Sequence, residues 1–552
     1  MIARMKHLDL LCVAEDRDQT LSALRDLGAV HLDLGSAHGE EVSSAMGEAA
    51  DAERAVRFIL KARGKSNEAG SAAASPSDVL AMKASLDAKR ADVEALSREI
   101  ARCEPYGDFD PALAAKLVAA GVDLSSVAEL PDPLPEKRLS EMRAEHAAAE
   151  TEAAALERKI AGCSEKAILA SCPGLADKIA FAAARELMSE RGAVAVVSGW
   201  IPESRVADLR AESSRRGWGT LVRGPEKGEI PPTLVEPPRM FRPMKALFDG
   251  LGIAPAYTEA DVSVPFMCYF SLFFAMLVGD GAYGAIFLAG TLAARKKLPR
   301  SWFVLLTVFS SATVLWGFLS NTWFGAGIPA CADWPTVRWL ADPSYGHMML
   351  LCFTIGVSHL MLARIWNGLC RLPDATAIAE FGWAGVLLFM YLVTNSIVGI
   401  FSAIPQWGFI VFWASLACVF LFTVKPSELK TRGAELGMLP LNIMSALGDI
   451  ISYVRLFAVG LASVKVAENF NSMALGLVDG AGAVWTKALM SVAMVAILVV
   501  GHGLNLAMAG LSILVHAVRL NTLEFSNHKG VSWSGYAFRP FRRSASGTTG
   551  SR

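Results

Sequence analysis

The second half of the chain is almost continuously apolar, and this feature constrains the fold more than any other. Between residues 263 and 525 the apolar sequence is interrupted only by short connecting loops. Apolar stretches of about 18 residues or more predict transmembrane helices. With 53% hydrophobic and 19% charged residues, the chain is too apolar for an ordinary soluble protein. The net charge of -1 excludes nucleic-acid binding that depends on overall basicity.

The first half has a different composition, so we expect a soluble module followed by a membrane module. Residues 1–240 are rich in Ala, Glu, Arg and Lys and contain no transmembrane-length apolar stretch. Proline pairs at 231–232 and 237–238 favour extended backbone and end any helix there. We therefore predict a linker over 241–262, a membrane domain over 263–525 and a cytoplasmic tail over 526–552.

The soluble module is predicted to contain two α/β lobes joined by a helical hairpin. Residues 1–50 show a strand-helix-strand pattern, and residues 164–230 show a strand followed by a helix. Between them, residues 51–163 predict an antiparallel coiled-coil hairpin with a small Pro-rich cap at 104–136. A generic helical linker fits the periodicity equally well. The apolar seam consists of Leu86, Val93, Ile100, Leu139, Met142, His146, Ala149, Ala153, Leu156, Ile160 and Cys163.

Hydropathy predicts an all-α membrane domain of about eight spans. The two short first spans meet at Gly279-Asp280-Gly281, as in a tight hairpin. Basic loops at 295–300, 364–371, 425–432 and 539–543 predict cytoplasmic termini, and short outer loops suggest a prokaryotic inner membrane. The predicted spans are roughly 264–279, 281–295, 302–320, 347–368, 381–400, 407–424, 438–473 and 484–524.

The last two spans are unusually long and carry polar residues. At 1.5 Å per residue they would measure about 54 and 60 Å, whereas a bilayer core is about 30 Å thick. They must project from the membrane or lie strongly tilted in it. Their polar residues include Asp449, Ser452, Arg455 and Ser463 on the first, and the 3-4-3-4-3 stripe His502, Asn505, Ala509, Ser512, His516 and Arg519 on the second.

Arg455 is the principal functional candidate because it falls near the middle of its span. An arginine stays charged at accessible pH, so within a bilayer it needs a partner or a wet cavity. Asp449, the nearest acid on the same helix, is six residues away and poorly placed. We therefore expect the compensating carboxylate to come from another chain. Snorkelling, or pairing with an acid of this chain such as Asp280, is the alternative.

The other candidates have structural alternatives of their own. Arg519 and Glu524 lie towards a helix end, where snorkelling is easy. His502 and His516 could be hydrogen-bonded packing residues, and Asp280 could cap the hairpin.

Seven passages along the chain carry a family pattern. Three are specific: LGDIISYVRLFAVGLA, VHAVRLNTLEF and FRPF. The other four are MIARMKHLDLLCVAEDRDQTLSALRDLGAVHLD, SGWIP, the PPT of IPPTLVEPP and PFMCYFSLFFAMLVGDGAYG. Together, and in the same order over nearly the whole chain, they resemble the a/I subunit of V-type and A-type rotary ATPases.

The resemblance implies a membrane stator subunit without catalytic site, cofactor or metal. Arg455 would face the ion-binding carboxylates of a rotor proteolipid ring, with Arg519 nearby, and two half-channels would carry H+ or Na+. The long helices would then be tilted along the ring. The implied partners are the ring, peripheral stalk subunits on the cytoplasmic domain, the central-stalk adaptor and membrane lipid. The candidate half-channel residues are Asp280, Asp449, Ser452, Ser463, His502, Asn505, Ser512, His516 and Glu524.

Two departures from the family pattern leave questions open. Ala509 occupies a position where many members have a glutamate, and the region 104–136 is shorter than the usual distal lobe.

The alternative interpretation is a self-contained secondary transporter in which Arg455 binds an anionic substrate. The predicted spans show no evident inverted repeat, which disfavours a transporter. A membrane receptor that signals through the coiled coil would not need a buried arginine.

Overall fold

The computed structural model forms two compact units. The lobe unit comprises Met5–Lys227 and the C-terminal residues from Arg539, and the membrane unit comprises the first four residues and Gly228–Phe538. The basic loop 425–432 and part of the predicted cap 104–136 lie outside the described residues. The structure describes residues 2–33, 39–63, 72–120, 131, 133–165, 167–168, 174–340, 344–424, 434–479 and 484–543.

The lobe unit combines a small antiparallel sheet with seven helices in its described residues. The strands follow the apolar alternation of the sequence, and α1 and α7 each end at a glycine in the left-handed conformation. The elements are β1 Met5–Val13, α1 Arg17–Leu27, α2 Glu40–Arg63, α3 Pro76–Cys103, α4 Pro111–Ala119, α5 Leu139–Gly162, α6 Leu175–Leu187, β2 Ser189–Arg191, β3 Val194–Pro202, α7 Val206–Arg216 and β4 Gly219–Arg223.

One sheet unites the two predicted lobes. Its order is β2-β3-β1-β4, with β1 paired antiparallel to β3 and to β4. Leu8 and Leu10 of β1 and Ala195 and Val197 of β3 are buried in the core beneath it. The two lobes predicted as separate units thus share a core.

The predicted strand AVHLDL after α1 is wrong for the residues that the structure describes. Only His31 forms a bridge, to Trp200 of β3. The first residues of β3, 194–196, already pair with β2. Only the later part of β3 is free on that side, which leaves little edge for a further strand.

Helices α3 and α5 pack against each other in antiparallel orientation. Arg90 pairs with Glu157 at 3.0 Å, and Arg143 pairs with Glu104 at 2.6 Å. Helix α2 packs on both helices, and its Ile59 lies in the same hydrophobic cluster as residues of α3 and α5. The core is therefore shared by three helices, and coiled-coil geometry remains a prediction.

The C-terminal residues complete the core of the lobe unit. Phe541 is buried in the cluster beneath the sheet, and its backbone N–H donates to Val30 O at 2.8 Å. His31 is 7% exposed, and its Nδ1 lies 3.0 Å from both the backbone nitrogen and the carbonyl oxygen of Arg539. Burial lowers the pKa of His31, and the smaller effects of the Arg539 hydrogen bond and of Asp33 act in the opposite direction.

We expect the attachment of the C-terminal residues to weaken in acid. As the pH falls below the ordinary histidine pKa of about 6.5, the unfolded chain binds a proton that folded His31 resists, so stability falls. Hydrogen–deuterium exchange over 539–543, corrected for intrinsic rates, should show less protection one unit below that pKa than one unit above. In His31→Gln this pH dependence should disappear. Equal dependence in both chains would exclude His31 as the cause.

The membrane unit is helical throughout its core. Its elements are α8 Met244–Leu251, α9 Ser263–Val278, α10 Gly281–Ala293, α11 Arg300–Ser320, α12 Pro335–Leu340, α13 Gly346–Arg371, α14 Thr376–Ile397, α15 Gln406–Phe422, α16 Ala434–Gly437, α17 Leu439–Ile451, α18 Val454–Asp479, α19 Val484–Ser512 and α20 Ser526–Lys529, with two π-helical segments between α19 and α20.

The count of eight spans is not confirmed. Among the described residues, five helices are long and apolar enough to cross a membrane. A sixth span is possible if α9 and the helix Gly281–Lys296, which meet at a bend of 119°, count as one. Helix α15 has only 17 residues, about 25 Å of helix. The count of eight stays a prediction, because short apolar helices cannot be distinguished from spans by composition.

Candidate functional site

The helix that carries Arg455 is interrupted just before this residue. Helix α17 ends at Ile451 and α18 begins at Val454. Here the backbone bonds shorten to the i→i−3 type: Tyr453 N–H donates to Ile450 O at 3.1 Å, and Arg455 N–H to Ser452 O at 3.3 Å. Short 3₁₀ stretches within a helix often mark functional hinges. The 40-residue segment Leu439–Val478 is thus one long apolar helix with a break.

The helix that carries Arg519 is also irregular at its candidate residue. Two π-helical segments, Ile513–Ala517 and Leu520–Phe525, flank Arg519, and Glu524 lies in the second. π turns are rare and frequently occur at functional sites. A 3.6-residue wheel does not describe this region, so the predicted polar stripe cannot continue unchanged through it.

Arg455, Arg519 and Glu524 form what we call the arginine cluster. Arg455 Nη2 donates to Glu524 Oε1 at 3.2 Å, and Arg519 Nε lies 3.6 Å from the same oxygen. The Glu524 side chain is 5% exposed, that of Arg455 24% and that of Arg519 55%. The expectation that Arg455 finds no acid in its own chain is therefore wrong. Its partner lies 69 residues away, on a helix that folds back beside it.

The arginine cluster still carries an unbalanced charge. With Glu524 ionised, two guanidiniums and one carboxylate leave a net charge of +1. Within the described residues, Glu524 Oε2 is buried and has no hydrogen-bond partner. A single oxygen therefore serves both cations. An anion brought to this surface would be attracted by the uncompensated positive charge.

A second set of ionic side chains lies beside this cluster, and sequence reasoning found only Asp449 of it. His528 Nε2 lies 3.0 Å from Asp449 Oδ2, and Arg364 Nε donates to His528 Nδ1 at 3.1 Å. Glu380, 7% exposed, pairs with Arg364 at 3.2 Å and with Arg371 at 2.8 Å. The two arginines balance the charges of Glu380 and Asp449. We call this set the Glu380 cluster.

The residues that were missed sit near predicted span ends. The charge pattern assigns Arg364 and Arg371 to a basic loop, and hydropathy puts Glu380 just outside a span. The available signal was an acid and two arginines within one hairpin, which often pair when the helices pack antiparallel.

Three predicted candidates meet in a hydrogen-bonded group that we call the tyrosine network. Asn505 donates to Tyr283 Oη at 3.1 Å and to Ser463 O at 2.8 Å. Tyr283 Oη lies 2.7 Å from His502 Nδ1, and His502 Nε2 lies 3.1 Å from Asn471 Oδ1. Asn505 is 2% exposed. The network supplies a continuous series of polar groups along about two turns of α18.

The remaining candidates are placed separately. Asp280 is 1% exposed, and its two carboxylate oxygens accept from Ala282 N–H and Gly325 N–H, both at 2.8 Å. That is the geometry of a helix cap. Ser452 donates to Gly448 O at 3.0 Å. His516 lies within electrostatic range of both arginines. Ser512 is half-buried on α19.

The last long helix exposes an apolar surface that the membrane unit does not cover. Over Trp485–Lys529 the most apolar 18-residue window has a mean hydropathy of 2.0, and 17% of it is buried. Such a surface requires lipid or another protein. Its most exposed side chains are Trp485, Leu489, Val492, Val499, Val500, Leu511 and Leu514. In the described part of the chain, no group of three or more His, Cys, Asp or Glu residues is placed to hold a metal ion.

Comparison with known proteins shows what the chain is similar to. No family model matches the chain. It is 27% identical to subunit I 1 of the V-type ATP synthase of Treponema pallidum, over 98% of this chain and 100% of that protein. It is 31% identical to V-type ATP synthase subunit I of Borreliella burgdorferi, over 63% of this chain and 60% of that protein. It is 25% identical to A-type ATP synthase subunit I of Archaeoglobus fulgidus, over 63% of this chain and 58% of that protein.

These relatives confirm the resemblance seen in the sequence. Against two of the three, the chain spans about three fifths of the relative's length. Against the Treponema protein the two chains match from end to end. The long apolar helices of the present chain fit a membrane protein. The chain is a membrane protein that is similar to subunit I of V-type ATP synthases over nearly its whole length, and to subunit I of A-type ATP synthases over about three fifths of it.

Proposed function

We propose that the chain is the ion-translocating stator subunit of a V/A-type ATP synthase, with Arg455 as its essential cation. In this role α18 and α19 face a rotor ring whose subunits each present one ion-binding carboxylate. The observation that supports it best is the net charge of +1 on the arginine cluster, beside the largely uncovered last helix. The rotor carboxylate supplies the missing anion.

The mechanism follows from electrostatics. A protonated rotor carboxylate can face lipid, whereas an ionised one is strongly disfavoured there. Arg455 attracts the ionised form and lets it pass between two access paths. Glu524 competes with the rotor carboxylate for the same guanidinium, so the complex is not trapped in one tight pair. Each elementary charge that crosses 100 mV involves about 2.3 kcal/mol, which couples rotation to the gradient.

The tyrosine network and the Glu380 cluster are the proposed access paths. The tyrosine network, with Ser463, His502 and Asn505, lines one half-channel. The Glu380 cluster, which includes Asp449, lies beside the other. Ser512 and His516 lie on the last helix between these groups. The network also compensates for Ala509, because Asn505 lies one turn away and offers a buried polar side chain.

The other proposed contacts follow from the family. The cytoplasmic domain would hold the peripheral stalks, and the central-stalk adaptor would dock nearby. The membrane would be a prokaryotic inner membrane, with both termini cytoplasmic. The transported ion is H+ or Na+.

We expect the purified chain alone to be inert in liposomes. A stator has no rotor carboxylate to exchange, so neither ion flux nor uptake of small anions should exceed that of empty vesicles. The assembled complex, reconstituted with ATP, should acidify the lumen or accumulate Na+. Anion uptake by the lone chain would instead support the alternative, a self-contained secondary transporter in which Arg455 binds the substrate.

A further inference from the structure

A fully buried histidine, which the proposed mechanism does not use, lies directly behind the arginine cluster. His359 of α13 is 0% exposed. Its ring stacks on Tyr269 at 4.0 Å between centroids and, on Phe525, at 4.4 Å with an interplanar angle of 10°. Within the described residues, its Nε2 has no hydrogen-bond partner. An imidazole held flat between two rings has little freedom to move.

The same imidazole contacts the break in the helix before Arg455. His359 Nδ1 shares a hydrogen bond of 2.9 Å with the Tyr453 hydroxyl. Tyr453 is 0% exposed, lies in the break between α17 and α18, and precedes Arg455 by two residues. Its ring also packs on Gly356, one turn before His359, where a Cβ atom would lie 2.6 Å from Tyr453 Cγ. Helix α13 thus fits closely against the break.

The other face of the imidazole contacts the helix that carries Glu524. Phe525, 0% exposed, follows Glu524 directly and ends the second π-helical segment. Irregular turns have poorer backbone hydrogen bonding than a regular α-helix, so the backbone alone holds their side chains less firmly. His359 therefore contacts both irregular segments, one next to Arg455 through Tyr453 and the other next to Glu524 through Phe525.

We propose that His359 is a positioning residue that holds Arg455 and Glu524 at their working separation. Through Tyr453 it supports the break before Arg455, and through Phe525 it supports the π turn that carries Glu524. This inference rests on the proposed function. It adds that the geometry of the arginine cluster is set from α13, a helix that carries neither arginine.

The test compares single-group deletions in the complete reconstituted complex. Tyr453→Phe removes one oxygen, and His359→Phe keeps a flat ring but loses Nδ1. Each should lower the number of ions moved per ATP by about two- to tenfold, the effect of one buried hydrogen bond. The double variant should be no worse than the more affected single variant, because both remove the same bond. The yield of intact complex should stay unchanged.

A second histidine on the same helix offers a matched control. His347 also stacks on an aromatic ring, Trp339, at 4.9 Å, and its Nδ1 lies 2.9 Å from Trp339 O. His347→Phe should leave the ratio of ions to ATP at the wild-type value. If His359→Phe fails to assemble, Tyr453→Phe decides the question.

Two outcomes would overturn the proposal. One is a wild-type ratio in Tyr453→Phe; the other is a loss of yield with the ratio unchanged, which indicates packing alone. A failure of the proposed function is distinguishable, because Arg455→Ala would then pump normally. An inactive Arg455→Ala beside a fully coupled Tyr453→Phe rejects only the positioning role.

Discussion

Replacing Arg455 with alanine is expected to abolish ATP-driven ion transport by the assembled complex. Without this guanidinium, the ionised rotor carboxylate has no cation at the point where it leaves one access path for the other. Loss of one preorganised electrostatic group typically costs about 100-fold or more in rate. Transport by proteoliposomes, followed with a pH- or Na+-sensitive dye, should fall to background. Assembly and ATP binding should remain.

Three comparison variants define this result. Arg455→Lys keeps the charge but loses the planar fork, so it should retain partial transport. Arg519→Ala should impair transport less severely than Arg455→Ala, because Arg519 is 55% exposed and 3.6 Å from Glu524. Arg338→Ala removes an exposed arginine from a surface pair with Asp333 and should behave as wild type. Substantial coupled pumping by Arg455→Ala would contradict the proposed function.

Glu524→Gln is expected to be the most destabilising conservative change in the arginine cluster. Removing the carboxylate leaves two guanidiniums without an anion in a partly buried site, so the net charge rises from +1 to +2. Breaking a buried ion pair costs about 3–5 kcal/mol. The purified complex should therefore unfold at a lower temperature and show reduced transport.

A double variant separates the effect of net charge from the loss of the Glu524 carboxylate itself. Glu524→Gln combined with Arg519→Gln restores a net charge of +1 and should recover much of the lost thermal stability. Glu468→Gln is the control, since its pair with Lys465 is 39–50% exposed and contributes at most about 1 kcal/mol. A wild-type unfolding temperature in Glu524→Gln would show that Glu524 does not compensate the arginines.

The sequence singles out Arg455 and Arg519 as candidates but does not predict the acid that pairs with them. Arg455 and Arg519 stand out because an arginine in an apolar helix is expensive. Asp449 and Asp280 are the acids that the sequence offers as partners of Arg455, and neither is the one that the structure places beside it. Glu524 is 69 residues away, and the π turns around it change which side chains share a face. Tertiary contacts of this kind are not encoded in local periodicity.

The fold shows the same division. Strands β1 and β3 and helices α1 and α7 were predicted from apolar alternation and capping signals. Their union in one sheet is not predictable in this way, because alternation and capping signals are local, whereas β1 and β3 pair over a long stretch of sequence. His31 likewise forms only a single bridge to β3, because β2 already occupies the start of β3 on that side. This arrangement is not visible in the sequence around His31.

The position of β1 has a consequence for biosynthesis. This strand is translated well before its partners, because the paired residues of β3 and β4 follow it by about 180 to 215 positions. Phe541 enters the same core only after the membrane segments have been made. Pairings at such separation in sequence form slowly. The core of the lobe unit can therefore close only after every membrane helix has been synthesised.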